Sequence, residues 1–170
     1  MRKDRAKSRV QGALRAGLIA ASLSSAPAFA APASAQEAPP AQSASAQYRP
    51  LEGSTTPYSE AVQVGDVLYL AGKLGTAADG SGLVPGGIEA ETRRAMESIG
   101  ETLAKYDLTH DAVFKCTVFL ADIEDFAKFN AVYRTFFKEG RYPARSTVAV
   151  KGLALGAAIE VECLAHNPQG

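Results

Sequence analysis

The stretch Ala112-Val113-Phe114-Lys115-Cys116-Thr117-Val118-Phe119-Leu120, followed after Asp122 by Phe126-Ala127-Lys128-Phe129-Asn130-Ala131-Val132-Tyr133, decides the fold. The first run predicts a strand with Phe114, Cys116, Val118 and Leu120 on one face. Phe119 makes the other face partly apolar too, which is the pattern of a well-buried strand. Asp122 then offers an N-cap, and Glu124 and Asp125 place acid in the first turn. Phe126, Phe129, Tyr133 and Phe136/Phe137 form the apolar stripe of a helix that Gly140 stops. Two strands follow, over residues 145–151 and 157–165, separated by a Gly/Leu/Ala connection.

Upstream, Ala61, Val62 and Val64 lead into Gly65-Asp66, and Val67 to Ala71 lead out, which predicts a hairpin with a two-residue turn. Residues 75–87 hold five glycines with Pro85 and Asp79 and read as a long surface loop. From Ile88 the period changes: Ile88, Thr92, Ala95/Met96, Ile99 and Leu103 mark one amphipathic helix ending near Asp107. The order is β-β-α-β-α-β-β, a two-layer α+β or α/β domain with both helices on one sheet face.

The chain has 170 residues with 18 basic and 18 acidic side chains, enough for one compact domain. The neutrality is uneven. Residues 1–35 hold six basic groups and one acid, Asp4, whereas the remainder holds twelve basic and seventeen acidic groups, a net charge of −5. Such a body lacks the electrostatic footprint for phosphate backbones, so nucleic acid is not an expected partner. The basic start, the apolar run from Ala16 to Leu23 and two A-x-A patterns predict a secretory signal peptide over residues 1–35, cut after Ala30 or Ala35. The run is shorter than the roughly 20 apolar residues of a membrane anchor. The expected organisation is therefore a signal peptide, a disordered Ala/Pro/Ser-rich linker over 36–50 and a folded domain over 51–170, periplasmic or secreted and free of the membrane after cleavage. Cys116 and Cys163 would meet an oxidising compartment, yet each sits in an apolar strand-like run. Each is expected to pack as a free small hydrophobe.

His110 and His166 make up no zinc-ligand motif of the usual kinds with their sequence neighbours, so no metal is expected. Nucleophile-elbow and phosphate-loop patterns are absent from the sequence. What remains is an arginine and a glutamate in the C-terminal strands. Arg145 opens Ser146-Thr147-Val148-Ala149-Val150, and Glu160 sits between Ile159 and Val161. Burying either charge alone is costly, so each needs a partner or a wet cleft. Two arrangements satisfy this. In one, Arg145 and Glu160 pair with each other across neighbouring strands. In the other, Arg145 clamps the carboxylate of an organic acid and Glu160 takes a proton from an attacking water.

Pro143-Ala144-Arg145-Ser146, Ile159-Glu160-Val161-Glu162, the run from Phe126 to Tyr133, and Pro57-Tyr58-Ser59-Glu60-Ala61 recur in an order that resembles the RidA/YjgF family from Tyr58 to about His166. The resemblance implies a chorismate-mutase-like α+β fold, assembled as a homotrimer with clefts between subunits. It also implies cofactor-independent hydrolysis of reactive 2-imino and enamine acids, such as 2-aminoacrylate, to 2-oxo acids and ammonia. Carried over by position, Arg145 would hold the substrate carboxylate and Glu160 would activate water. Tyr58, Gly72, Asn130 and Thr147 would bind substrate. Thr147 stands where many relatives have cysteine, and Ala71 and Lys73 replace a frequent Ser and Gln. The same cleft without turnover would make a periplasmic ligand-binding or holdase-like trimer, and a hydrolase of a related small amide or enamine would share the site.

Overall fold

A computed structural model of the protein describes residues 45–51, 53 and 55–169. The expected signal peptide and most of the expected linker lie outside these residues. The sheet has seven strands: β1 (Gln47–Pro50), β2 (Ser59–Val64), β3 (Val67–Leu70), β4 (Lys73–Leu74), β5 (Val113–Leu120), β6 (Ala144–Ala149) and β7 (Ile159–His166). Two helices, α1 (Gly87–Ala104) and α2 (Phe126–Tyr133), complete the domain. The strand order is β1-β2-β3-β7-β5-β6, with β4 also paired to β7, and all pairings are antiparallel except β5 with β6.

The local signals fold as their chemistry dictates. The hairpin turns at Gly65, whose φ of 54° suits the tight connection between Val64 and Val67. The Asp122 carboxylate accepts the Glu124 N–H at 2.9 Å at the head of a 3-10 turn that leads into α2. Along α1, Ile88, Thr92, Ala95, Met96, Ile99 and Leu103 are buried. They form a single core with Phe129 and Tyr133 of α2 and with Cys116, Val118, Ile159 and Val161 of the sheet, so both helices lie on one sheet face as expected. Helix α1 ends at Ala104, short of the expected Asp107, because the Leu108 N–H turns back to the Leu103 carbonyl while Asp107 takes a positive φ of 57°.

Three expectations are corrected. Gln47–Pro50 was expected in the disordered linker. It instead forms β1, an exposed strand held by backbone pairing to β2, in which Pro50 is tolerated at the sheet edge. Phe114 was expected in the buried row of β5. A register shift between Val113 and Lys115 against β7 buries Val113 in its stead and leaves Phe114 exposed. The two cysteines are not free. Cys116 and Cys163 face each other directly across β5 and β7, with Cα atoms 4.1 Å apart, and are joined by a disulfide inside the core. Each does pack as a small hydrophobe, but long-range register also brings the two sulfurs together.

Candidate functional site

Arg145 and Glu160 do not pair. Both β6 and β7 flank β5, so the two residues are a strand apart. Arg145 is in register with Cys116, and Glu160 with Phe119. Positions three apart on one strand point to opposite faces, so Arg145 projects on the helix-covered face and Glu160 on the open one. This eliminates the interstrand ion pair that the sequence allowed.

Arg145 is half-buried among the aromatic stripe of α2. Its guanidinium carbon lies 4.7 Å from the Tyr133 ring centroid, 4.9 Å from that of Phe129 and 5.7 Å from that of Phe126. The rings attract the cation through their quadrupoles and supply no counter-charge. Among the described residues no carboxylate reaches it. Arg145 opens onto a cleft of about 340 Å³ shared with Asn130, Tyr133, Arg134, Tyr142 and Pro143. The Tyr133 hydroxyl, on a residue only 2% exposed, has no hydrogen-bond partner among the described residues. Burial pushes its pKa up to about 12 against the pull of Arg145, so it stays a protonated donor at neutral pH. The aromatic stripe that the sequence assigns to the core is therefore also the seat of the arginine.

The other expected residues gather elsewhere. Between β3 and β4, four residue steps from Tyr69 to Lys73 oppose three from Leu164 to Val161, so the chain bulges at Ala71-Gly72. The bulge brings Gly72 against the Glu160 carboxylate, where a Cβ on Gly72 would lie 2.1 Å from Oε1. Gly72 lines a second cleft of about 320 Å³ with Tyr58, Glu60, Lys73, Ser98 and Leu155, among others. Tyr58 is 58% exposed at its rim. The Glu160 carboxylate accepts no hydrogen bond and forms no ion pair among the described residues. The structure thus brings Arg145 and Asn130 together at one cleft, while at the other Tyr58 and Gly72 share the wall and Glu160 lies against Gly72, so the expected residues fall into two separate half-sites. Thr147 is half-buried on the face of β6 that carries Arg145 and lines neither cleft.

Two carboxylates that support this arrangement were missed by sequence reasoning. Glu91 is buried in α1, and its Oε2 accepts the Ala158 N–H at 2.8 Å, fixing the approach to β7 just before Glu160. Its position three residues after Ile88, within the apolar stripe, is the signal that could have found it. Glu60 is buried on β2, where Lys105 donates to both oxygens at 2.9 and 2.7 Å and Thr102 donates at 3.1 Å. Burial pushes its carboxyl up, but Lys105, Lys73 and Thr102 outweigh this and hold its pKa below the usual 4.5.

Comparison with known proteins gives this geometry a context. A family model described as Endoribonuclease L-PSP matches residues 49–167. The 2-iminobutanoate/2-iminopropanoate deaminase of Mus musculus is 39% identical over 109 residues, covering 64% of this chain and 80% of that protein. Among solved structures, YyfA from Yersinia pestis, a member of the conserved Rid protein family, has a TM-score of 0.65 at 31% identity, covering 72% of this chain and 99% of that one. RidA from an Antarctic Psychrobacter has a TM-score of 0.62 at 30% identity, covering 74% and 98%. With the match spanning nearly all of the described domain, and the same sheet carrying two helices on one face, this chain belongs to the Endoribonuclease L-PSP family, also called RidA/YjgF.

Proposed function

We propose that this protein hydrolyses short 2-imino acids to 2-oxo acids and ammonia, without a cofactor. The observation that carries the reading is the Arg145 guanidinium, held by three rings at the wall of a cleft that none of the described carboxylates lines. A planar cation in that setting suits bidentate capture of a ligand carboxylate. The deaminase activity named for the mouse relative supports the same chemistry.

In this reading Arg145 takes the substrate carboxylate, and Asn130 and the unpartnered Tyr133 hydroxyl supply further polar contacts. Glu160 accepts a proton from water as the new C–O bond forms at the imine carbon and the C=N electron pair moves to nitrogen. The proton then passes to the nitrogen of the resulting carbinolamine. The carbinol O–H proton then passes by way of Glu160 to the nitrogen as the C–N bond breaks and C=O forms, and ammonia leaves. One water is consumed, and Glu160 returns to its starting state. A Glu160 carboxylate without a hydrogen-bond or ion-pair partner among the described residues suits a base that must exchange a proton.

Because Arg145 and Glu160 project from opposite faces of one sheet, we infer that a complete site forms between subunits of a homotrimer, with Tyr58, Gly72 and Thr147 lining it. The open sheet face, where Tyr69 and Val148 are exposed, supports such an assembly. Residues 1–35 carry the export pattern, so we place the mature trimer in the periplasm or outside the cell. Light scattering reads the trimer, and the N-terminal mass of the exported protein reads the cut after Ala30 or Ala35.

The deciding experiment follows ammonia and 2-oxo acid release from freshly generated 2-iminopropanoate and 2-iminobutanoate, for the protein and its Arg145→Ala variant. Acceleration that depends on Arg145 supports the reading. Release no faster than the uncatalysed reaction, or equal rates in both proteins, overturns it.

A further inference from the structure

The Tyr58 cleft carries a cation for which imine hydrolysis has no use. Lys73 on β4 lines this cleft beside Gly72, and its side chain is 18% exposed. Its Nζ stands 3.6 Å from Glu60 Oε1, beyond ordinary hydrogen-bond length. That long ion pair is its closest side-chain contact among the described residues, and it leaves the other N–H groups of the ammonium uncommitted. The Glu60 carboxylate, by contrast, is already engaged at both oxygens by Lys105 and at one by Thr102. Glu101, the other carboxylate whose charge acts on Lys73, is committed to Arg94 through two hydrogen bonds at 2.8 and 3.1 Å. One buried carboxylate thus faces two ammonium groups and holds Lys105 the more closely. Lys73 keeps a positive charge and free N–H donors at the wall of a cleft of about 320 Å³ that also exposes the side chains of Thr76 and Ser98.

We propose that Lys73 is a second anion-binding group of the substrate cleft, and that it selects 2-imino acids bearing a second carboxylate at the end of the side chain over purely aliphatic ones. The inference rests on the deaminase reading, in which Arg145 takes the carboxylate next to the imine. Burial pulls the Lys73 pKa down, Glu60 opposes this and Lys105 adds to it, so the ammonium is short of favourable contacts. A carboxylate from the ligand supplies them. An aliphatic side chain there would desolvate the ammonium further and leave it only its long contact with Glu60, which discriminates against it.

The test compares a five-carbon dicarboxylic 2-imino acid with 2-iminobutanoate in the unmodified protein, Lys73→Gln and Lys73→Arg. It reads kcat and KM separately and also reads calorimetric binding of the matching products, 2-oxoglutarate and 2-oxobutanoate. The kcat/KM ratio of dicarboxylic to monocarboxylic substrate is expected to fall by about tenfold or more in Lys73→Gln, through KM, and to stay within about threefold in Lys73→Arg. An unchanged ratio in a folded Lys73→Gln protein, with Arg145→Ala still inactive, overturns the role of Lys73 and leaves the deaminase reading standing. If the unmodified protein turns over neither substrate, the deaminase reading fails and the binding arm decides. Preferential binding of 2-oxoglutarate that is lost in Lys73→Gln supports the role, and equal binding of the two products overturns it. Thermal unfolding of both variants separates a lost contact from a lost fold.

Discussion

A methyl group on Gly72 would stand 2.1 Å from Oε1 of Glu160 and 3.0 Å from its carboxyl carbon. The glycine is therefore the floor against which the carboxylate rests. Gly72→Ala is expected to push the Glu160 carboxylate aside while the sheet survives, since only the end of a flexible side chain has to move. Turnover of 2-iminobutanoate should fall by about 10- to 100-fold, with stability changed by less than about 1 kcal/mol. Steady-state kinetics alongside denaturant unfolding reads both.

Arg145→Lys keeps the charge but loses the planar fork and its stacking on Tyr133, Phe129 and Phe126. The expected loss in kcat/KM is about two orders of magnitude. Stability should fall by roughly 1 kcal/mol, the scale of a partly buried cation–π contact. A lysine variant with unaltered kcat/KM would show that charge alone suffices.

Tyr133→Phe removes a buried hydroxyl that nothing among the described residues satisfies. The variant is expected to be at least as stable as the parent, by up to about 1 kcal/mol. Its KM should rise if the hydroxyl meets the ligand. Opposite signs for stability and affinity are the signature of a donor held ready for substrate.

The disulfide closes a loop across a sequence separation of 47 residues. Chain-entropy arguments give about 4 kcal/mol for such a loop, and measured values for disulfides centre on about 2–4 kcal/mol. The Cys116→Ala/Cys163→Ala double variant should lose that much in urea unfolding. A reductant should bring the parent protein to the same midpoint and leave the variant unmoved.

Glu60 makes stability depend on acid. Its folded pKa lies below 4.5, so the unfolded chain binds the proton more readily. The contribution is complete above 4.5 and is lost as pH falls through the folded value. Glu60→Gln is expected to unfold more easily at about pH 7, by about 1–2 kcal/mol, and to show a shallower loss below pH 4.5. Thermal midpoints measured across the acid range test both statements.

Much of the architecture is legible because its signals are local. The Gly65-Asp66 turn, the Asp122 cap and the stripe from Ile88 to Leu103 each depend on residues within a few positions of one another, and the structure contains all three. The misses are non-local. Strand β1 is exposed along its length and has no apolar pattern to read, since pairing with β2 alone makes it a strand. The outward turn of Phe114 and the meeting of Cys116 with Cys163 both depend on how β5 registers against β7. The candidate site shows the same division. Charged residues in apolar strands mark Arg145 and Glu160 as unusual, but only the register of β5 with both neighbours reveals that they face opposite ways. Lys73 was visible as a departure from the family pattern, whereas its spare donors depend on Lys105, 32 positions further along the chain, having claimed Glu60.

Strand β7 is the last of the seven strands in chain order and sits in the middle of the sheet, between β3 with β4 on one side and β5 on the other. Until it arrives, β1 to β3 and β5 to β6 are separate ribbons with no ladder between them, β4 has no partner strand, and neither ribbon can close the core. The nascent chain consequently has to wait for β7 before it commits to its native form. Cys163 lies on that strand, so the bond to Cys116 seals the closure in the same event, and a chain shortened before Ile159 would lack the one strand that ladders its two ribbons together.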